Sequence, residues 1–248
     1  MMQLESEDEK RTIWRYMDFA KFVSLLDKSA LYFARADKLG DPFEGSHGKA
    51  YVDEMKSAFR DGEEANKAFS KLSSVYKKIV KFTFISCWHL NEHESDAMWK
   101  LYLGNNKGIA IQSTVNSLKN SIKDKGNDIY IGKVKYIDYE TEVMNGGLDE
   151  GERYPFYHKR KSFEHEQELR LAIQHFKSIK SGGIIGARPP RYKGIPVLVD
   201  LNLLIRRIYL APTSPEWLFE LVKSLTIRFE LDNTEVLPSA LTTKRILY

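Results

Sequence analysis

Short β-branched and aromatic runs alternate with helical patterns along this chain, but not in the regular strand–helix–strand rhythm that builds a parallel sheet. Phe82-Thr83-Phe84-Ile85-Ser86-Cys87-Trp88 and Gly108-Ile109-Ala110-Ile111-Gln112 read as strands. So do Leu31 to Ala34, Ile129 to Ile137, Leu169 to His175, Val197 to Val199 and Ile205 to Leu210. Met17 to Lys28 sets Phe19, Phe22, Val23 and Leu26 on one helical face with Asp18 at the N-cap position. Ser95 is placed to cap a short helix carrying Met98, Trp99 and Tyr102. Val115 to Lys123, Pro155 to Glu166 and Ser214 to Phe229 complete the expected helices, and a closing strand follows. Residues 50 to 80, rich in Lys, Glu and Ala, repeat Phe59, Phe69, Leu72 and Tyr76 at helical intervals. The order predicts an α+β fold on a mainly antiparallel central sheet, as a single domain over 1–248 with a helical insertion at about 50–80.

The length of 248 residues corresponds to between one and two domains at about 150 residues each and is enough for a sizeable core. With 42% hydrophobic and 29% charged residues the chain is globular in composition, not disordered. A single cysteine, Cys87, excludes an intrachain disulfide and a thiolate metal cluster and points to a reducing, cytoplasmic setting. The acidic residues Glu5, Glu7, Asp8 and Glu9 do not suit a signal peptide. Asp200, Asn202, Arg206 and Arg207 interrupt the most apolar stretch, so no membrane span is expected. The net charge of +4 permits an anionic partner without requiring one.

No glycine-rich phosphate loop or His-Glu-x-x-His pair is present. His89 and His93 lie four apart, but in a polar stretch just after a strand, where loop geometry leaves them solvated; no metal site is assigned. Four groups of residues could carry chemistry. In Asp41-Pro42-Phe43-Glu44-Gly45 the proline stiffens a turn that either caps backbone N–H groups or presents Asp41 or Glu44 to a polar ligand. Ser86, at a strand end, with Trp88, Trp99 and Tyr102, forms either core or a clamp on a planar ring. Trp14-Arg15-Tyr16 offers a guanidinium for a phosphate and a phenol for a base, unless Arg15 is a surface cation.

The richest group is Lys159-Arg160-x-x-Phe163-x-x-Glu166-x-Glu168-x-Arg170. Were Glu166 to Arg170 extended, Glu166, Glu168 and Arg170 would share one face. They would then form a salt-bridged edge or a working site, in which Glu168 holds a ribose hydroxyl and steadies an oxocarbenium-like cation. Asn145-Gly146-Gly147 and Asp149 to Gly151 mark a break before this segment. Ser181 to Pro190 forms a long loop that continues into Arg191-Tyr192-Lys193.

Arg15-Tyr16, Leu31-Tyr32-Phe33 with Asp37, Asp41-Pro42-Phe43-Glu44-Gly45, Ser86-Cys87-Trp88, Met98-Trp99-x-x-Tyr102, Gly108 to Ile111 and Phe163-x-x-Glu166-x-Glu168-x-Arg170 together resemble a widespread bacterial family without an assigned activity. The order of elements is also similar to ADP-ribosyltransferase-like folds, which include toxins and abortive-infection proteins. That second resemblance implies NAD as substrate, contacted by Arg15 or Tyr16, with Ser86 in the middle strand, Glu168 as the catalytic glutamate and Glu166 as the preceding acid. Trp88 or Tyr102 would stack on a ring, and Asp41, Glu44, Arg160 and Arg170 would contact substrate. It further implies an antiphage or toxin role, with a nucleic-acid or protein target; Arg188-Pro-Pro-Arg191-Tyr192-Lys193 would suit nucleic acid through phosphate attraction. The competing expectations are a non-catalytic nucleotide- or partner-binding sensor of a defence system, and a nuclease with Asp41, Glu44, Glu166 and Glu168 around a divalent ion.

Overall fold

The computed structural model describes residues 4–58, 63–102, 107–142, 155–176, 183–231 and 233–242. In chain order the elements are β1 (Thr12–Asp18), α1 (Phe19–Lys28), β2 (Ala30–Arg35), α2 (Lys49–Ala58), α3 (Glu63–Ile79), β3 (Thr83–Leu90), α4 (Asp96–Tyr102), β4 (Gly108–Thr114) and α5 (Val115–Ser121). There follow β5 (Ile129–Lys133), β6 (Lys135–Ile137), β7 (His158–Arg160), β8 (Glu168–Gln174), α6 (Gly183–Gly186), β9 (Gly194–Leu198), α7 (Leu201–Leu204), β10 (Arg207–Leu210), α8 (Glu216–Arg228) and β11 (Glu235–Pro238). The fold is α+β, with strand pairing mainly antiparallel and parallel at β10–β11 and β6–β7. No helix among the described residues is long and apolar enough to cross a membrane.

The chain interleaves into two compact units. One takes Phe33–Ser86 and Gly126–Ile195, the other Leu4–Tyr32, Cys87–Lys125 and Pro196–Tyr248. In the second unit β4 lies between β1 and β10, with Arg15 opposite Ile111 and Tyr209 opposite Ala110. Ile13, Trp14, Tyr16 and Met17 of β1 are all buried, so the strand reads as a near-continuous apolar run instead of an alternating one. Asp18 ends it and caps α1, accepting the Lys21 N–H at 2.8 Å.

In the first unit β8 pairs with β5 in antiparallel register, Arg170 opposite Gly132 and Leu171 opposite Ile131. Six consecutive residues of β8, Glu168 to Ile173, are buried. A strand covered on both faces cannot leave its two charged residues to water, and this fact shapes the site below. The helical insertion expected near 50–80 is present as α2 and α3.

Several local expectations are corrected. Pro155 to Glu166 is not a helix: His158–Arg160 pairs in parallel with β6, Lys135 opposite His158, and Lys161–Glu166 is a 3₁₀ segment. Ile129 to Ile137 divides into β5 and β6 instead of forming one strand. Ser86 is not at a strand end, because β3 runs on to Leu90 and takes His89 with it, buried instead of solvated. The loop after residue 182 opens with the short helix α6. Phe59, Asn145 to Gly147, Asp149 to Gly151, Ser181 and Gly182 lie outside the described residues.

Candidate functional site

Asp41, Glu44, Arg160, Glu166, Glu168 and Arg170 come together in the first unit as one carboxylate–cation cluster. Its centre is Arg170, whose side chain is 1% exposed. The guanidinium grips both oxygens of Glu44, Nη1 to Oε1 at 2.5 Å and Nη2 to Oε2 at 3.0 Å. Nη1 also donates to the Phe156 carbonyl at 2.7 Å, and Nε to Glu168 Oε2 at 2.5 Å. Lys159 Nζ bridges the two remaining glutamates, reaching Glu168 Oε1 at 2.8 Å and Glu166 Oε2 at 2.5 Å. Arg160 extends the network to Asp41, Nη2 to Oδ1 at 2.9 Å, and lies 4.4 Å over the Phe43 ring.

Local sequence explains the loop that supplies Asp41 and Glu44. Asp41 accepts the Phe43 N–H at 3.0 Å, an Asx turn fixed by the intervening proline. Gly45 follows at φ +68°, and a Cβ there would sit 2.3 Å from the Phe156 ring. Only glycine lets the backbone turn left-handed and pack so closely. Asp41 thus caps backbone, as the turn reading expects, and at the same time pairs with Arg160.

Glu166 and Glu168 are neighbours in different electrostatic settings. Gln167 between them is left-handed at φ 39°, so Glu166 closes the 3₁₀ segment while Glu168 opens β8; they do not line one face of a strand. Burial works against the Glu168 charge, yet Arg170, the hydrogen bond with Glu166 and Lys159 hold its pKa well below the usual carboxylate range. Glu166 moves the other way: burial, then the hydrogen bond and the charge of Glu168, raise it to about 7, with Lys159 opposing. Glu166 is also the more open of the two, 19% exposed against 6% for Glu168. Tyr136 fixes the start of β8, its hydroxyl accepting the Glu168 N–H at 2.8 Å.

The second unit gathers Arg15, Trp88 and Tyr102. Arg15 lies 5.6 Å from the Trp88 ring centroid and donates to the Tyr32 carbonyl at 3.1 Å. Burial lowers its pKa, while Cys87 and Tyr102 act to raise it. Trp88 is buried with its indole N–H unpartnered among the described residues, and Tyr102 is exposed at the end of α4. Tyr16 does not join them. Its ring meets Trp99 edge-on at 4.9 Å, and its hydroxyl accepts the Ser95 N–H at 2.9 Å. Successive residues of a strand face opposite ways, so Arg15 and Tyr16 cannot close on one ligand as a pair. Ser86 is buried in the first unit's part of β3.

Sequence reasoning missed the bridging role of Lys159, the Tyr136 anchor and His47. His47 stacks on Tyr51 at 4.4 Å and meets Tyr76 edge-on, with both ring nitrogens buried and without a hydrogen-bond partner among the described residues. Burial, then the nearby His158, lowers its pKa to about 4. These rings line a cavity of about 500 Å³ with Phe69 and Leu72, and Asp41 and Glu44 form part of its wall. A divalent-ion nuclease site does not fit the cluster: among the described residues no group of three or more acidic, His or Cys side chains is arranged to hold a metal ion, and Lys159, Arg160 and Arg170 take up most of these carboxylate oxygens.

No protein-family model and no curated protein matches the sequence. Among solved structures the chain is similar to Thermus sp. 2.9 DarT in complex with ADP-ribosylated ssDNA, at 10% identity and a TM-score of 0.40, over 96% of this chain and 97% of that one.

Proposed function

We propose that this protein is an ADP-ribosyltransferase-like enzyme that uses NAD as donor and transfers ADP-ribose to an acceptor, nucleic acid or protein. The observation that carries the reading is the splitting of the Glu166–Glu168 pair. Two carboxylates two residues apart, one held ionised and the other raised to about 7, are the arrangement that divides a fixed anion from a proton acceptor.

Cleavage of the nicotinamide–ribose bond sends the bonding pair out with nicotinamide and leaves positive charge on the ribosyl carbon. Glu168, anchored through Arg170 and Lys159, supplies the fixed negative charge that favours this development. Glu166 takes the proton from the acceptor nucleophile as its bond to that carbon forms. The electrostatics of the whole cluster agree with this division. Three cations face four carboxylates, so the group is neutral while Glu166 is protonated and carries one net negative charge once it ionises. Modification of a cell's own nucleic acid or protein in this way is the chemistry of a toxin or antiphage effector.

The test is release of nicotinamide from NAD by the purified protein, offered single-stranded DNA, RNA and protein acceptors in turn. Wild type is expected to turn over, and Glu168→Gln to lose about 100-fold or more. Wild-type protein that releases no nicotinamide with any acceptor, or Glu168→Gln that matches it, overturns the reading.

A second reading, a non-catalytic binding module, is favoured by the cavity around His47, Tyr51 and Tyr76, whose aromatic walls suit a planar ligand. Nucleotide-dependent thermal stabilisation in protein that consumes no NAD would select it.

A further inference from the structure

The loop before β9 combines two properties that solvent alone does not explain. Its backbone is tied down by cations. Lys78 donates to the carbonyls of Ile185 and Ala187, the latter at 3.2 Å. Arg35, only 11% exposed, donates through Nη1 to the carbonyls of Pro190 at 2.5 Å and Tyr192 at 3.1 Å, and its own N–H reaches the Lys193 carbonyl at 2.8 Å. Pro189 and Pro190 stiffen the same stretch. Yet the side chains this pinned backbone turns outward are again cationic: Arg188, Arg191 and Lys193 are exposed. Among the described residues, the ion pairs of this group run through one carboxylate, Asp37, held by Arg35 and Lys38. The pinned backbone therefore fixes where these cations are rooted and keeps their positive charge in one patch.

An aromatic ring stands in the middle of that charge. Tyr192 is 47% exposed, but it is not loose. One face stacks on Phe84 with centroids 5.5 Å apart and planes 27° from parallel. Its hydroxyl is 3.1 Å from His175 Nδ1, and the other nitrogen of that imidazole is 3.0 Å from Asn127 Oδ1. The ring is therefore oriented from behind, by a buried phenylalanine and a bonded histidine, with the remaining surface open.

We propose that this loop is a docking surface for a single-stranded polynucleotide, with Arg188, Arg191 and Lys193 on successive phosphates and an unpaired base stacked on Tyr192. Fixed cations flanking an exposed, immobilised ring are what a sequence-tolerant single-strand site requires: phosphate neutralisation for affinity and a π-face for each base it holds. Duplex keeps its bases stacked inward and cannot use the ring. An anionic membrane would use the charge but not the oriented, half-open tyrosine. As the landing surface of the acceptor, the loop rests on the transferase reading; as a binding surface it is measured without NAD, so the two fail separately.

The experiment is fluorescence anisotropy of the full chain with labelled oligo-dT, oligo-rU, a DNA duplex and an abasic strand of equal length, each titrated across salt, with phosphatidylserine vesicles as a separate arm. Wild type is expected to bind one or both single strands more tightly than the duplex and the abasic strand; oligo-dT against oligo-rU identifies the sugar. Tyr192→Ala is expected to lose about 5-fold or more on base-bearing strands and nothing on the abasic strand. Arg188→Ala/Arg191→Ala lowers the slope of log affinity against log salt by about 1.4, at about 0.7 for each lost phosphate on a single strand. Tyr192→Phe, which keeps the ring, retains binding, and the melting temperature of each variant confirms that it folds. An abasic strand or a duplex that binds as tightly as the base-bearing single strands, a Tyr192→Ala variant that binds as wild type, or vesicle binding without oligonucleotide binding overturns the proposal.

Discussion

Arg170→Met tests whether the carboxylate cluster is held together by one guanidinium. The substitution preserves much of the side-chain volume at a position 1% exposed, and removes four hydrogen bonds: two to Glu44, one to Glu168 and one to the Phe156 carbonyl. Glu168 keeps Lys159, so the larger part of the loss falls on Glu44, a buried carboxylate left without its fork. Breaking a buried ion pair from one side costs about 3–5 kcal/mol, and the orphaned Phe156 carbonyl adds about 1 kcal/mol. About 4–6 kcal/mol is therefore expected at pH 7, against a total of about 5–15 kcal/mol for an ordinary domain. Urea unfolding measures it directly.

The pH dependence separates this cause from a packing defect. Burial already raises the Glu44 pKa in wild type, with Arg170 opposing; in the variant that opposition is gone and the native pKa rises further above its unfolded value. The penalty is then present above that raised pKa and is lost as pH falls toward the unfolded value of about 4.3. The deficit against wild type should accordingly shrink between pH 7 and pH 4.5. Adding Glu44→Gln removes the orphaned charge and should recover about half of the loss at pH 7. A deficit below about 1 kcal/mol, or one that stays constant with pH while the double variant recovers nothing, refutes the reasoning.

Three further outcomes follow from the same geometry. Nicotinamide release should rise with pH through about 7 as Glu166 becomes able to accept a proton, and Glu166→Gln should abolish that limb while lowering the plateau; a pH–rate profile reads both. His47, neutral in the native state with a pKa of about 4 against an ordinary 6.5, contributes stability that is complete above pH 6.5 and falls as pH drops toward 4, by about 3 kcal/mol; His47→Phe should flatten that part of the urea-unfolding profile while keeping the contacts with Tyr51 and Tyr76. Gly45→Ala forces a Cβ to 2.3 Å from Phe156 at φ +68° and should cost about 2 kcal/mol or more, seen as a lowered melting temperature.

Most elements that depend on local chemistry are legible in the sequence. Asp18 capping α1, Ser95 bonding the Met98 N–H at 3.3 Å at the start of α4 and the β-branched run of β3 all follow from neighbouring residues. What is not legible depends on partners distant in sequence. His158–Arg160 is a strand because β6 lies beside it, 158 − 135 = 23 residues away by the Lys135–His158 register, and nothing in Pro155 to Glu166 encodes that neighbour. Arg15 and Tyr16 are adjacent in sequence and read as a pair, but strand geometry parts them. Lys159 is visible as charge, yet its bridging of Glu166 and Glu168 requires the chain to reverse between β7 and β8.

That reversal turns on Gln167. A left-handed conformation at a residue with a side chain costs about 1–2 kcal/mol, and it is retained here with the Gln167 N–H bonded to the Glu164 carbonyl at 3.1 Å. A continuous strand from Glu166 to Arg170 would have put both carboxylates on one face, side by side in equivalent surroundings, each ionising against the other. The turn places one in a strand buried on both faces and leaves the other at the edge of a 3₁₀ segment, with a single lysine between them. The turn at Gln167 thus gives two glutamates two residues apart different surroundings, and burial, Arg170 and Lys159 then act on them unequally.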